Sequence, residues 1–154
     1  PILGVDPYNF GENGIGSEYL DGAIPDVNAF RVKNVSSTYL SFFSKMLSTS
    51  NSNKDLKRIT MMMKFFEDMY CLIEKFSHWI KPNGHVAFII GNKKLGDEII
   101  PTDTIIDEIF TSFGFASDGS IAHKLKTNNS NSQVPWQERI IENEFIMLYT
   151  KETQ

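Results

Sequence analysis

One run of seven residues limits the fold of this chain more than any other. HVAFIIG, from His85 to Gly91, carries no acid, lysine or arginine, and every position from Val86 to Ile90 is apolar. Strict alternation of apolar and polar residues marks a strand with one wet face. An unbroken apolar run of strand length marks a strand buried on both faces, the kind found in parallel sheets covered by helices. The run is also framed. Before it, Leu56, Ile59, Met63, Phe66, Met69, Tyr70, Ile73, Phe76 and Ile80 recur at three- and four-residue steps, which predicts one long helix from Lys54 to Ile80. KPNG (81–84) ends that helix, Pro82 by removing a donor and Gly84 by permitting a left-handed turn. After the strand comes a polar loop, GNKKLGDE, which is either a site or a hinge. Thr102 or Asp103 then caps a helix predicted over Thr104 to Phe113, and Gly114 stops it.

The remaining elements follow from the same patterns. SSTYLSFFSKML (36–47) opens on serine and places Tyr39, Leu40, Phe43, Met46 and Leu47 on one helical face. STSNSN (48–53) is a polar break. Residues 1–35 are rich in Gly, Pro, Asn and Asp and have no sustained period, so they read as a long loop with one helical turn near Ser17–Leu20. A loop of that length belongs to a functional surface or to a segment cut from its context. A strand is predicted near Ser120–Leu125, a polar loop over 128–138, and a final strand over NEFIMLYTK (143–151). No helix lies between the last two strands, which predicts an antiparallel hairpin at the edge of an otherwise parallel sheet.

Composition bounds the rest. With 154 residues, 41% hydrophobic content and 22% charge, the chain reads as a single globular domain over 1–154. A formal net charge of -4 gives nucleic-acid binding no support beyond a local patch. Cys71 is the only cysteine, expected as a small core residue, and a single thiol fits a reducing compartment. No apolar run reaches membrane-spanning length, so a cytoplasmic protein is expected. His78, His85 and His123 have no metal-ligand spacing.

FFEDMYCLIEKFSHWIKPNGHVAFIIGN (65–92), IPTDTIIDEIFTSFGF (100–115) and ERIIENEFIMLYTK (138–151) together resemble the carboxyl half of Rossmann-like S-adenosylmethionine-dependent methyltransferases. Within these, the similarity is to the DNA amino-methyltransferases of restriction–modification systems. The resemblance implies a partial Rossmann-like fold, with 1–35 on the active-site side and 36–154 supplying helices and sheet. It implies S-adenosylmethionine as cofactor and methyl transfer to an exocyclic amine of adenine or cytosine in DNA. It also implies a missing amino-terminal half, or a complementary chain, as partner, and self-association through a bare strand edge. Two features depart from that family. No glycine-rich cofactor loop is present, since GENGIG (11–16) lacks the strand and helix that would frame one. VDPYNFG (5–11) has one proline fewer than the catalytic box. The alternatives are a methyltransferase acting on RNA or a small molecule, or a non-catalytic binding subunit of the same fold.

On that resemblance Asp6, Pro7 and Tyr8 form a degenerate catalytic box, with Tyr8 stacking on an extruded base and Phe10 beside it. The other reading is an ordinary turn. Gly91 and Asn92 stand at the strand end beside the substrate, or simply turn the chain. Lys93, Lys94 and Arg139 are candidates for phosphate contact, and Trp136 for base stacking. For each of these, solvated surface or sheet-edge cover is the alternative.

Overall fold

The computed structural model describes residues 26–50, 52–124 and 143–153. In chain order, two short 3-10 turns (Val27–Ala29 and Arg31–Asn34) precede α1 (Ser37–Thr49) and α2 (Asn53–Trp79). Then come β1 (His85–Gly91), β2 (Lys94–Leu95), β3 (Glu98–Ile99), α3 (Thr102–Ser112), β4 (Phe115–Lys124) and β5 (Asn143–Lys151). The chain divides into two compact units, Pro1–Leu72 and Ile73–Gln154. The expected turn near Ser17–Leu20 lies outside the described residues.

In the first unit, Ser36 caps α1 by accepting a hydrogen bond from the Tyr39 amide at 3.0 Å. That start places Tyr39 and Phe43 on the buried face, where they meet Phe66 of α2. The Tyr39–Phe43 and Phe43–Phe66 ring centroids lie 4.9 and 5.7 Å apart, in tilted and edge-on geometry. Ile59 and Met63 complete the buried stripe of α2. Arg31 ties the 3-10 turn to that helix. It pairs with Glu67 at 2.7 Å, lies 4.7 Å over the Tyr70 ring, and donates to Cys71 Sγ. Cys71 is therefore half-buried beside a guanidinium, not sealed in a core as expected.

The second unit holds the sheet, and here the topology overturns the expected fold. The strand order is β1-β5-β4, and both pairings run antiparallel, as does the separate β2–β3 pair. Only the last two strands were expected to pair that way, inside a parallel Rossmann-like sheet. The parallel methyltransferase core is absent from the described residues. The physical reason lies in β1. An apolar run tells that a strand can be buried, but pairing direction is set by which strand lies beside it. Here β5 returns along β1 in register from His85↔Thr150 to Gly91↔Glu144. Burial was misjudged for the same reason. Val86, Phe88 and Ile90 are partly covered, whereas Ile89, on a strand expected to be buried on both faces, is 64% exposed.

Within the second unit, α3 covers one face of the sheet. α3 turns Ile105, Ile106, Ile109 and Phe110 inward, all fully buried, and lies against β1, β4 and β5. Phe110 stacks on Tyr149 with centroids 4.1 Å apart and meets Phe88 and Phe115 edge-on. Burial, reinforced by the nearby Asp107 carboxylate, pushes the Tyr149 phenol well above its ordinary pKa. At the end of α3, the buried Lys151 ammonium donates to the Phe113 carbonyl, placing a cation against the negative end of the helix.

Three local expectations are revised. In KPNG the left-handed residue is Asn83, with φ of 61°, and not Gly84. Gly84 is needed for space: a β-carbon there would lie 2.7 Å from the Ile80 side chain and 2.8 Å from the Lys81 carbonyl. Neither Thr102 nor Asp103 caps α3; Asn92 does so from eleven residues away, its Oδ1 accepting from the Asp103 amide at 3.2 Å. The loop GNKKLGDE contains a tight hairpin, β2–β3, with Gly96 at φ of 63° as its first turn residue, the position where glycine supplies a II′ turn.

Candidate functional site

β1 has the sequence of a central strand and the position of an edge strand. Its partner on one side is β5, and among the described residues no strand pairs on the other. The Lys151 amide donates to the Gly84 carbonyl at 2.8 Å, so the backbone groups of Gly84 face β5. Alternation along an antiparallel ladder then gives Val86, Phe88 and Ile90 to β5. His85, Ala87, Ile89 and Gly91 turn their N–H and C=O groups to the open edge. Edge strands of folded proteins are ordinarily blunted by lysine, proline, a bulge or shortness. β1 has none of these over seven residues in continuous register.

Among the described residues of the second unit, no element covers the sheet face opposite α3. On it, Ile89, Ile146 and Ile121 form one row across β1, β5 and β4, through the registers Ile89↔Ile146 and Ile121↔Ile146. Ile121 is 58% exposed and Ile146 half-buried. The next row is Ala87, Leu148 and Gly119. Polar rows close both ends. At one end His85 Nδ1 lies 2.8 Å from the Thr150 hydroxyl, which donates to Asp118 at 2.6 Å. At the other, Glu144 stands between Gly91 and His123. An irregularity between Ser117 and Gly119 sets this arrangement: Asp118 is the extra residue of β4, and the shift brings Ile121 onto the open face. An apolar centre with a polar border is the anatomy of a protein interface.

Of the sequence-predicted site residues, the structure brings four together at one end of β1. Gly91 closes the strand, and Asn92 caps α3. Lys93 is exposed, and its carbonyl accepts from the Ile100 amide at 2.8 Å. Lys94 is half-buried in the small hairpin, opposite Ile99. Asp6, Pro7, Tyr8, Phe10, Trp136 and Arg139 lie outside the described residues. Sequence reasoning missed the open face altogether. The signal for it was arithmetic: among the described residues one helix lies between β1 and β4, and one helix covers one face of a three-stranded sheet.

No family model, curated protein or solved structure matches the chain. That finding and the antiparallel topology together remove the expected identity. No S-adenosylmethionine-binding Rossmann topology is present among the described residues, so the methyltransferase family, the methyl-transfer activity in restriction–modification, and the cofactor are withdrawn. The resemblance rested on a helix, a turn and an apolar strand in succession. Those elements are reproduced by any segment that must bury an apolar strand after a long helix, whatever the direction of its neighbours. Among the described residues, no group of three or more His, Cys, Asp or Glu side chains is placed to hold a metal. None of the described helices is long and apolar enough to cross a membrane.

Proposed function

We propose that this chain is an assembly module whose sheet is completed by another polypeptide. The partner supplies a strand to the open edge of β1 and an apolar layer over the row Ile89, Ile146 and Ile121. One observation carries this reading: among the described residues β1 combines an unpaired edge with apolar side chains on both faces, and Ile89 is 64% exposed. A strand alone would satisfy the edge and leave the isoleucine row wet. Two copies joined through their β1 edges would double the exposed row. A strand followed by a helix that folds back over the face satisfies both, which favours a distinct polypeptide with that pair of elements as partner. The lone Cys71 suits work in a reducing compartment, and we assign the module to the cytoplasm.

The test uses a photo-crosslinking amino acid in place of Ile89 or Ile121, with the exposed Lys57 as control. Both sheet positions are expected to capture a polypeptide that the control does not. Purified and added back, that polypeptide should slow amide exchange at Ala87 and Ile89 by at least about tenfold, equivalent to roughly 1.4 kcal/mol. Outward amides already protected in the dilute isolated chain would overturn the reading. So would a captured polypeptide that protects nothing. Protection that rises with the chain's own concentration would replace the distinct partner with a second copy.

A further inference from the structure

The sheet has two outer strands, and they are built differently. In the order β1-β5-β4, β4 forms the edge opposite β1, and among the described residues no strand pairs on its outer side. The Glu152 amide donates to the Gly114 carbonyl at 2.9 Å, so alternation turns the backbone groups of Gly114 and Ala116 toward β5. Tyr149, Met147 and Phe145 are bonded toward β1. Leu148, Ile146 and Glu144 therefore turn toward β4, where their partners are Gly119, Ile121 and His123. The groups left facing outward along β4 belong to Ser117, Ser120, Ala122 and Lys124.

An added strand presents its groups to a neighbour at every second residue. β1 matches that repeat without a break at His85, Ala87, Ile89 and Gly91. β4 does not. Its outward groups skip from Ser117 to Ser120, because Asp118 is an extra residue in the strand. Gly119 carries the bend at φ of 117°, a region that favours glycine, and the Thr150 hydroxyl ties the Asp118 carboxylate back into the sheet at 2.6 Å. The regular stretch that remains runs to Lys124, and an exposed lysine on an edge strand is a second device against strand addition.

Resting on the proposed docking edge of β1, we infer that the module is monovalent: it accepts a strand on β1 and none on β4, so assembly stops at one partner. A pairing of the β1 edge of one copy with the β4 edge of another would be head-to-tail. Every addition would expose the same two edges again, and growth by translation would never close. Breaking the repeat on β4 removes that route and leaves β1 available.

The probe is a synthetic peptide of residues 84–92 flanked by lysines, added to the full chain with amide exchange read at both edges. At about 1 mM peptide the Ala87 and Ile89 amides are expected to slow at least about threefold, while Ser120 and Ala122 keep their rates. Deletion of Asp118 joined with Lys124→Thr restores the two-residue repeat on β4, since Gly119 is free to relax to extended backbone. In that variant Ser120 and Ala122 should slow as well, with the protected Ile146 amide of the central strand reporting an intact sheet. Slowing at Ser120 and Ala122 in the unaltered chain would overturn monovalency, whether or not the variant folds. So would a variant that keeps Ile146 protected and still leaves β4 unpaired. Slowing at neither edge would instead sink the docking role of β1, and monovalency with it.

Discussion

The Tyr39 hydroxyl is a buried polar group without a hydrogen-bond partner, in a side chain that is fully enclosed. Folding strips it of water and returns nothing for that loss. Tyr39→Phe keeps the ring contacts with Phe43 and Phe66 and removes the orphan oxygen. Chemical denaturation of the variant is expected to show a gain of about 1 kcal/mol. The same burial, with Glu67 nearby, pushes the Tyr39 phenol above its ordinary pKa, as burial and Asp107 do for Tyr149. The folded state thus holds these protons more tightly than the unfolded chain does. The resulting stability is complete below about pH 10, where an unfolded tyrosine begins to ionise, and falls as pH rises beyond it. Denaturation midpoints measured at increasing alkaline pH are expected to decline, and Tyr149→Phe should shallow that decline. A pH-independent midpoint across this window would contradict the assignment.

At the scale of elements, the sequence marks where helices begin more reliably than it marks what caps them. Ser36 caps α1 as its position suggests, because both partners lie in one turn. Thr102 and Asp103 looked equally suited to α3, yet the cap comes from Asn92 at the end of β1. That contact exists only because β1, the β2–β3 hairpin and α3 fold together. Asn92→Ala is expected to destabilise the chain by about 0.5–2 kcal/mol, the usual effect of removing a cap. Asn92→Asp keeps the acceptor and adds a negative charge near a helix N-terminus, so it should be neutral or stabilising. Faster exchange of the Asp103 amide in the alanine variant alone would separate loss of the cap from general loosening.

For the whole molecule, the decisive residue is Ile89. Its burial in a parallel sheet would make truncation cost about 2–5 kcal/mol. At 64% exposure, Ile89→Lys is instead expected to change the stability of the isolated chain by no more than about 0.5 kcal/mol. The same substitution puts a charge on the open face and should prevent partner capture by the Ile121 crosslinker. Denaturation and crosslinking on one variant thus read the two effects separately. A large loss of stability would mean that something already covers Ile89.

The sequence by itself determined the local elements. The stripe from Ile59 to Ile73 made α2, the serine before Ser37 started α1, and NEFIMLYTK became β5 over the predicted residues. Each of these depends on side chains a few residues apart, whose spacing is written directly in the chain. Pairing direction, the identity of the α3 cap, the left-handed role of Asn83 and the exposure of Ile89 were decided only in three dimensions. HVAFIIG states that its side chains avoid water, but contains nothing about which strand lies beside it or how many helices are at hand. With β5 returning antiparallel and α3 against one face, the other face and one edge of that strand are left open among the described residues of the second unit, and there the proposed partner would dock.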